Sequence, residues 1–279
     1  MSLGILTNVA ATYAENNLNQ TQNSLQNVLQ ELSSGSRINS GADDAAGLSI
    51  ADGLHANQAA LNQSAQNAQN GVGLLQTADG ALSQVTNLLD RAVTLATEAS
   101  NGGLTAAQST AADTEFQSIL TEIGNIGTST NYNSTAVFSA TATDFVVSDG
   151  TTAGTTTIAA TVGALTTANV GNGTGVDLSA QVLTSQAAAQ TALGKITTAV
   201  ADVAAQRGAI GANINQLNAA ANVASSESVN LSAAESSIKS TNYGQATSDL
   251  AKYQVLSQTG ISALAQANSV AQEVLKLLQ

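Results

Sequence analysis

Residues 54–96 read LHANQAALNQSAQNAQNGVGLLQTADGALSQVTNLLDRAVTLA. Leu54, Leu61, Ala68, Leu75, Leu82, Leu89 and Ala96 fall at strict seven-residue intervals, with Ala65, Val72 and Val93 in companion positions. A seam sustained over that length specifies a long α-helix laid along another helix. Asp43 and Asp44 suit its positive end and Asn101-Gly102-Gly103 breaks it. A helix over about 44–100 would measure on the order of 85 Å at 1.5 Å per residue.

Working outward, Leu18, Leu25 and Leu32 repeat at the same interval, Val28 and Leu29 add to that face, and the loop from Ser33 to Gly41 stops the helix. Beyond residue 103 a shorter helix carries Phe116, Ile119, Leu120, Ile123 and Ile126. A second long seam follows through Ile196, Val203, Ile210, Leu217, Ala224, Leu231 and Ile238, completed by Leu193, Val200, Ile214 and Ala221. Arg207, Ser228 and Glu235 occupy seam positions, where they weaken or register it. After Thr241-Asn242-Tyr243-Gly244 a last helix places Leu250, Ile261, Leu264, Ala271, Leu275 and Leu278 on one face.

The stretch 128–180 differs in texture, being rich in Thr, Gly and Val. Strand candidates lie at 135–139, 144–148 and 155–160, with the turn signal Ser148-Asp149-Gly150 between the last two. One or two hairpins at the tip of a helical rod, followed by a loop over 161–179, are expected. The fold class is therefore mainly α: a long coiled-coil or helical-bundle rod with a small β-hairpin insert. Three regions follow: 1–40 with 240–279 as a terminal coiled coil, 41–127 with 181–239 as a helical rod, and 128–180 as a β-rich surface insert packed on it.

Composition agrees with slender helices. The 279 residues include no Pro, Cys or Trp and only 3% aromatics, so little is available to fill a thick core. A net charge of −12, with no basic residue between Arg91 and Lys195, argues against nucleic acid or an anionic membrane as partner. No stretch has the roughly 20 apolar residues needed to span a bilayer, and the first residues lack a signal-peptide pattern.

Candidate chemistry is sparse. His55 stands alone, no Cys pair or His-x-x-x-His exists for zinc, and Asp43-Asp44 reads as helix capping because adjacent helical side chains diverge. Gly194-Lys195-Ile196 lacks the hydroxyl of a phosphate loop, and the Gly171–Gly175 cluster reads as loop. Asn133-Ser134-Thr135 fits a glycosylation sequon, as chance also supplies in an Asn- and Thr-rich chain. No enzyme, cofactor or metal site is expected.

The loop from Leu32 to Gly47, LSSGSRINSGADDAAG, and the tail from Ser262 to Gln279 resemble the two ends of bacterial flagellins, as do Asn16-Asn17-Leu18 and Asn131-Tyr132-Asn133. The resemblance implies a structural subunit that self-assembles into the flagellar filament outside the cell, exported unfolded by the flagellar type III apparatus. Under it, Leu18, Leu25, Leu32, Leu250, Ile261, Leu264, Leu275 and Leu278 carry the terminal coiled coil and polymerisation. Arg37 with Asp43 or Asp44 sets the joint between terminal and rod helices.

The implied partners are further copies of the chain, an export chaperone on the C-terminal helix, and the filament cap and hook-junction proteins. A Toll-like receptor would contact Arg91, Leu95 and Glu115, although Val93 and Thr94 replace the basic and acidic neighbours found in recognised members. A hook–filament junction protein shares the N-terminal pattern, and a secreted coiled-coil adhesin or effector would share the heptads and acidity.

Overall fold

The computed structural model describes residues 8–139, 141–150, 155–171 and 175–277, and side-chain surroundings through residue 270. The order is α1 (Val9–Ser34), α2 (Ala45–Ala99), α3 (Ala106–Ser129), β1 (Asn131–Tyr132), β2 (Thr135–Ala136), β3 (Thr143–Val146), β4 (Thr157–Ala160), α4 (Gln186–Lys239) and α5 (Tyr243–Leu277). The chain divides into two compact units, Met1–Ala56 with Leu231–Gln279, and Asn57–Asn230.

In the unit Asn57–Asn230 the heptad reading of α2 converts directly into burial: Leu61, Ala68, Leu75, Leu82, Leu89 and Ala96 are all buried. Of the companion positions, Ala65 is buried as expected. Val72 and Val93 are only half-buried, and the second row of the seam is Ala78, Val85, Ala92 and Ala99, three residues after each leading position. Three and four residues along a helix both return to roughly the same face, so the seven-residue spacing is compatible with either companion row. The Ala positions allow close helix approach, which compensates for the shortage of aromatics.

On α4, Ile196, Val203, Ile210, Leu217, Ala221 and Ala224 are buried in turn. The polar seam positions there are matched across to α2. The Ser228 hydroxyl donates to Asn62 Oδ1 at 2.9 Å, and Arg207 Nε donates to Asp79 Oδ1 at 2.8 Å. The partner index on α4 falls as that on α2 rises, so the two helices run antiparallel. A shift of one heptad would separate both pairs, which is how polar seam positions select a register.

α3 begins with a capping box: Gln108 N–H donates to Thr105 Oγ1 and Thr105 N–H to Gln108 Oε1. Its Phe116, Ile119, Leu120 and Ile123 are buried, with Ile126 half-buried. The insert forms two antiparallel hairpins, β1–β2 and β3–β4, the second pairing Thr143 with Ala160 through Val146 with Thr157. The strands are shorter than the sequence suggests, and β1 lies outside the expected strand segments.

The second hairpin packs on α2. Ser64 Oγ donates to Ser148 O at 2.7 Å, and the Phe145 ring lies over Gly71 of α2, where a Cβ would come within 2.9 Å of Leu217 and 3.1 Å of Phe145. The described part of 161–179 is irregular, as expected of a loop, but Val162, Leu165, Val170 and Leu178 are buried in the same core as the helices. Their irregular spacing gave no period to read. Residues 172–174 of the expected Gly-rich cluster lie outside the described residues.

The unit Met1–Ala56 with Leu231–Gln279 is thinner. α1 is capped by Asn8, whose Oδ1 accepts from Ala11 N–H, and ends on Gly35 in the left-handed conformation at φ 69°. Its inward row is Ala11, Ala14, Leu18, Thr21, Leu25, Val28 and Leu32; that of α5 is Ala246, Leu250, Tyr253, Ser257, Gly260, Leu264 and Ala267. Among these fourteen only Val28 and Ala246 are buried rather than half-buried.

Candidate assembly surface and terminal joint

The terminal residues singled out by spacing separate into two groups. Leu18, Leu25, Leu32, Leu250 and Leu264 lie on the rows that α1 and α5 turn toward each other. Leu18 packs against Gly260, where a Cβ would stand 3.2 Å from its Cδ1. The pair is closed at the other end by Asn8 Nδ2, which donates to Ala267 O at 2.8 Å. This tie had no legible signal beyond a helix-capping residue.

Ile261 does not belong to that row. It is 55% exposed, as is Leu29 at 48%, so neither shares the packed face assigned to it. The inward row of α5 steps 257, 260, 264, 267, and that alternation passes over 261. Leu275 is within α5 but its surroundings, like Leu278 altogether, lie outside the described residues.

Ile261 instead joins Val255, Leu256 and Val270 as exposed apolar residues of α5, while Val9, Tyr13 and Leu29 are exposed on α1. Two helices in contact each cover only one stripe of the other. The remaining apolar side chains therefore stay in water.

The loop between α1 and α2 is built mainly from backbone bonds. Arg37 N–H donates to Lys239 O at 2.8 Å, Thr241 N–H donates to Gly35 O at 3.1 Å, and the Arg37 guanidinium donates to Ile238 O at 3.0 Å. Arg37 thus serves the carbonyl end of α4, where a cation is favoured. It forms no ion pair with Asp43 or Asp44 among the described residues, contrary to the expected pairing.

The two aspartates do separate work. Asp43 Oδ2 accepts from the N–H groups of Asn39 and Ser40 at 3.0 and 2.8 Å and from the Ser40 hydroxyl, and these donors hold its carboxyl below the usual carboxylate range. Asp44 Oδ1 accepts from Gly47 N–H at 2.8 Å and caps α2. Ile38 is buried beneath this loop against Gly47, which has no room for a side chain. Nearby, His55 Nδ1 stands 3.5 Å from Glu235 Oε2, so the third polar seam residue of α4 also has a partner on α2.

In the other unit, Arg91 and Glu115 form a bidentate pair between α2 and α3, Nε to Oε1 at 2.7 Å and Nη2 to Oε2 at 3.1 Å. Each holds the other charged: the Glu115 carboxyl is pushed down and the Arg91 guanidinium up, chiefly by the shared hydrogen bonds. Both remain about half exposed, whereas Leu95 is 3% exposed and packs into the core. Arg91 and Glu115 are brought together and present a surface, whereas Leu95 belongs to the core. Among the described residues no group of His, Asp and Glu can hold a metal ion, and no helix is long and apolar enough to cross a membrane.

Comparison with known proteins bears on what such half-covered helices are for. The family model of the bacterial flagellin N-terminal helical region matches residues 5–143, and that of the C-terminal helical region matches residues 193–278. A flagellin of Halalkalibacterium halodurans is 33% identical, with 98% of each chain aligned. FlaB2 flagellin of Treponema pallidum is 31% identical over 98% of each, and the flagellar filament 30.7 kDa core protein of Treponema maltophilum is 32% identical over 97% of this chain and 98% of its own. Relatives matched from end to end, together with both terminal family models, place the chain in the bacterial flagellin family, whose members are the structural subunits of flagellar filaments.

Proposed function

We propose that the chain polymerises through α1 and α5 into the filament of an extracellular flagellum, with 1–40 and 240–279 forming the inner core, 41–127 and 181–239 the helical layer around it, and 128–180 the outer surface. The observation that carries this reading is the uncovered apolar set Val9, Tyr13, Leu29, Val255, Leu256, Ile261 and Val270 on the terminal pair. Burying an apolar side chain fully contributes about 1.5–3 kcal/mol. A lattice that covers these residues gains energy unavailable to the free subunit. Leu18, Leu25, Leu32, Leu250 and Leu264 hold the pair together, Ile261 faces the neighbouring subunit, and Leu275 and Leu278 are assigned to polymerisation by the family resemblance. Arg37, Asp43 and Asp44 keep the loop after α1 in one conformation.

The role is mechanical, not catalytic. Before assembly, a thin terminal pair suits delivery as an unfolded chain through the type III apparatus, with an export chaperone covering the apolar face of α5 and the cap and hook-junction proteins meeting the same ends. A Toll-like receptor would reach Arg91 and Glu115, with Leu95 supporting their helix from inside.

Elongation of short filament seeds by purified subunit, observed by electron microscopy, tests the reading. Intact chain elongates the seeds, whereas a chain lacking 250–279 does not. Failure of the intact chain to elongate, or equal elongation by the truncated chain, overturns it.

A further inference from the structure

Asn followed by Gly occurs at 70–71, 101–102 and 172–173. The first two lie in described but opposite surroundings, and the third lies outside the described residues. We propose that Asn101 is a site of spontaneous covalent modification, converting through a cyclic imide to aspartyl and isoaspartyl residues, while Asn70 is protected by the fold.

The reaction needs only water and this peptide segment. The Gly102 amide nitrogen gives up its proton to solvent base and attacks Asn101 Cγ. The new N–C bond closes a five-membered ring, and the side-chain amide nitrogen leaves as ammonia. Water then opens the imide at either carbonyl, giving Asp by one route and isoaspartate by the other, with no oxidation or reduction. The attack requires a backbone N–H that is not engaged, a carboxamide that is not anchored, and a following residue without a Cβ in the way.

All three hold at Asn101. α2 ends at Ala99; the N–H groups of Ser100 and Asn101 still donate to Ala96 O and Glu98 O, at 2.9 and 3.1 Å, but Gly102 N–H has no backbone partner. The Asn101 carboxamide forms no hydrogen bond among the described residues, and residues 101–103 are exposed. Gly71, by contrast, is inside α2, where its N–H is committed to the carbonyl four residues earlier. It is also buried between Leu217 and Phe145. Swinging that backbone into the imide geometry would require breaking the core.

Conversion at Asn101 places a new carboxylate at the carbonyl end of α2, where negative charge is disfavoured. Isoaspartate also adds a methylene to the main chain. Both loosen the last turn of α2, so conversion in an ageing subunit alters this turn while the core around Asn70 is unchanged.

The test follows the full chain incubated at mildly alkaline pH and cleaved after glutamate. The fragment 99–115 contains Asn101 as its sole asparagine. Isoaspartate in that fragment accumulates with time and faster at higher pH, while Asn70 stays unchanged until denaturant is added. Gly102→Ala slows the conversion by roughly tenfold because the Cβ obstructs ring closure. Gly102 is not in the left-handed region, and its Cβ would meet the Gln186 side chain at an ordinary 3.5 Å, so the variant tests the chemistry without disturbing the turn. Equal rates at Asn70 and Asn101 in the native chain, no product in 99–115, or no slowing by Gly102→Ala would each overturn the proposal.

Discussion

The two units use the same device, helices joined along heptad seams, and finish it to different degrees. In Asn57–Asn230 the seam residues Leu75, Leu82, Leu89, Ile196 and Leu217 are fully enclosed because α2, α3, α4 and the insert surround one core. In the terminal unit, α1 and α5 pack on each other, and rows of equal regularity remain half-covered among the described residues. The lesson is that periodicity specifies which face packs, while the number of elements around that face decides whether it becomes a core.

The sharpest way to break this comparison is to truncate one seam leucine in each unit. Leu82→Ala should cost about 2–5 kcal/mol, as expected for a cavity in an enclosed core, measured by denaturant unfolding of the free subunit. Within the same unit, Gly127→Ala should cost about 1–3 kcal/mol, because the new Cβ would run into the Leu165 carbonyl and force overpacking. Leu18→Ala, on a half-covered row, should cost about 1 kcal/mol or less from its smaller buried area. A loss at Leu18 equal to that at Leu82 would mean that the terminal pair is as well enclosed as the larger core.

Ile261→Ser sharpens the distinction further. Its side chain is exposed, so the free subunit should change by no more than about 0.5 kcal/mol, yet seeded elongation should drop strongly. If elongation is unaffected while the free subunit loses stability, Ile261 belongs to the packed row after all.

The smallest effect separates the units by pH. Asp43 in the terminal unit and Glu115 in the other both have depressed carboxyl pKa values in the fold. Each contribution is therefore fully present above the ordinary values of about 3.9 and 4.3 and is lost as pH falls through the lower folded values. Acid titration followed by NMR should show the 36–44 loop loosening with Asp43, and Asp43→Asn should abolish that step while leaving the Arg91–Glu115 step intact.

Much of this molecule was legible as sequence. The seven-residue rows of α2 and α4, the stop after Leu32, the turn at 101–103 and the flagellin-like ends are all local or periodic signals, and each residue carries its own share. Polar seam residues could be flagged as register devices, but their partners Asn62, Asp79 and His55 lie 128 to 180 positions away and only helix pairing reveals them.

What the tertiary structure alone decided has one physical cause: burial depends on which segments converge, and periodicity carries no information about the number of neighbours. For that reason Ala78, Val85 and Ala92 became the second core row, Val162, Leu165, Val170 and Leu178 of the loop joined the core, and Arg37 turned to the end of α4 instead of to Asp43. For that reason too Ile261, regular in sequence, faces solvent. The chain by itself determined its helices and their family; the packing determined which of their apolar faces were left for another subunit.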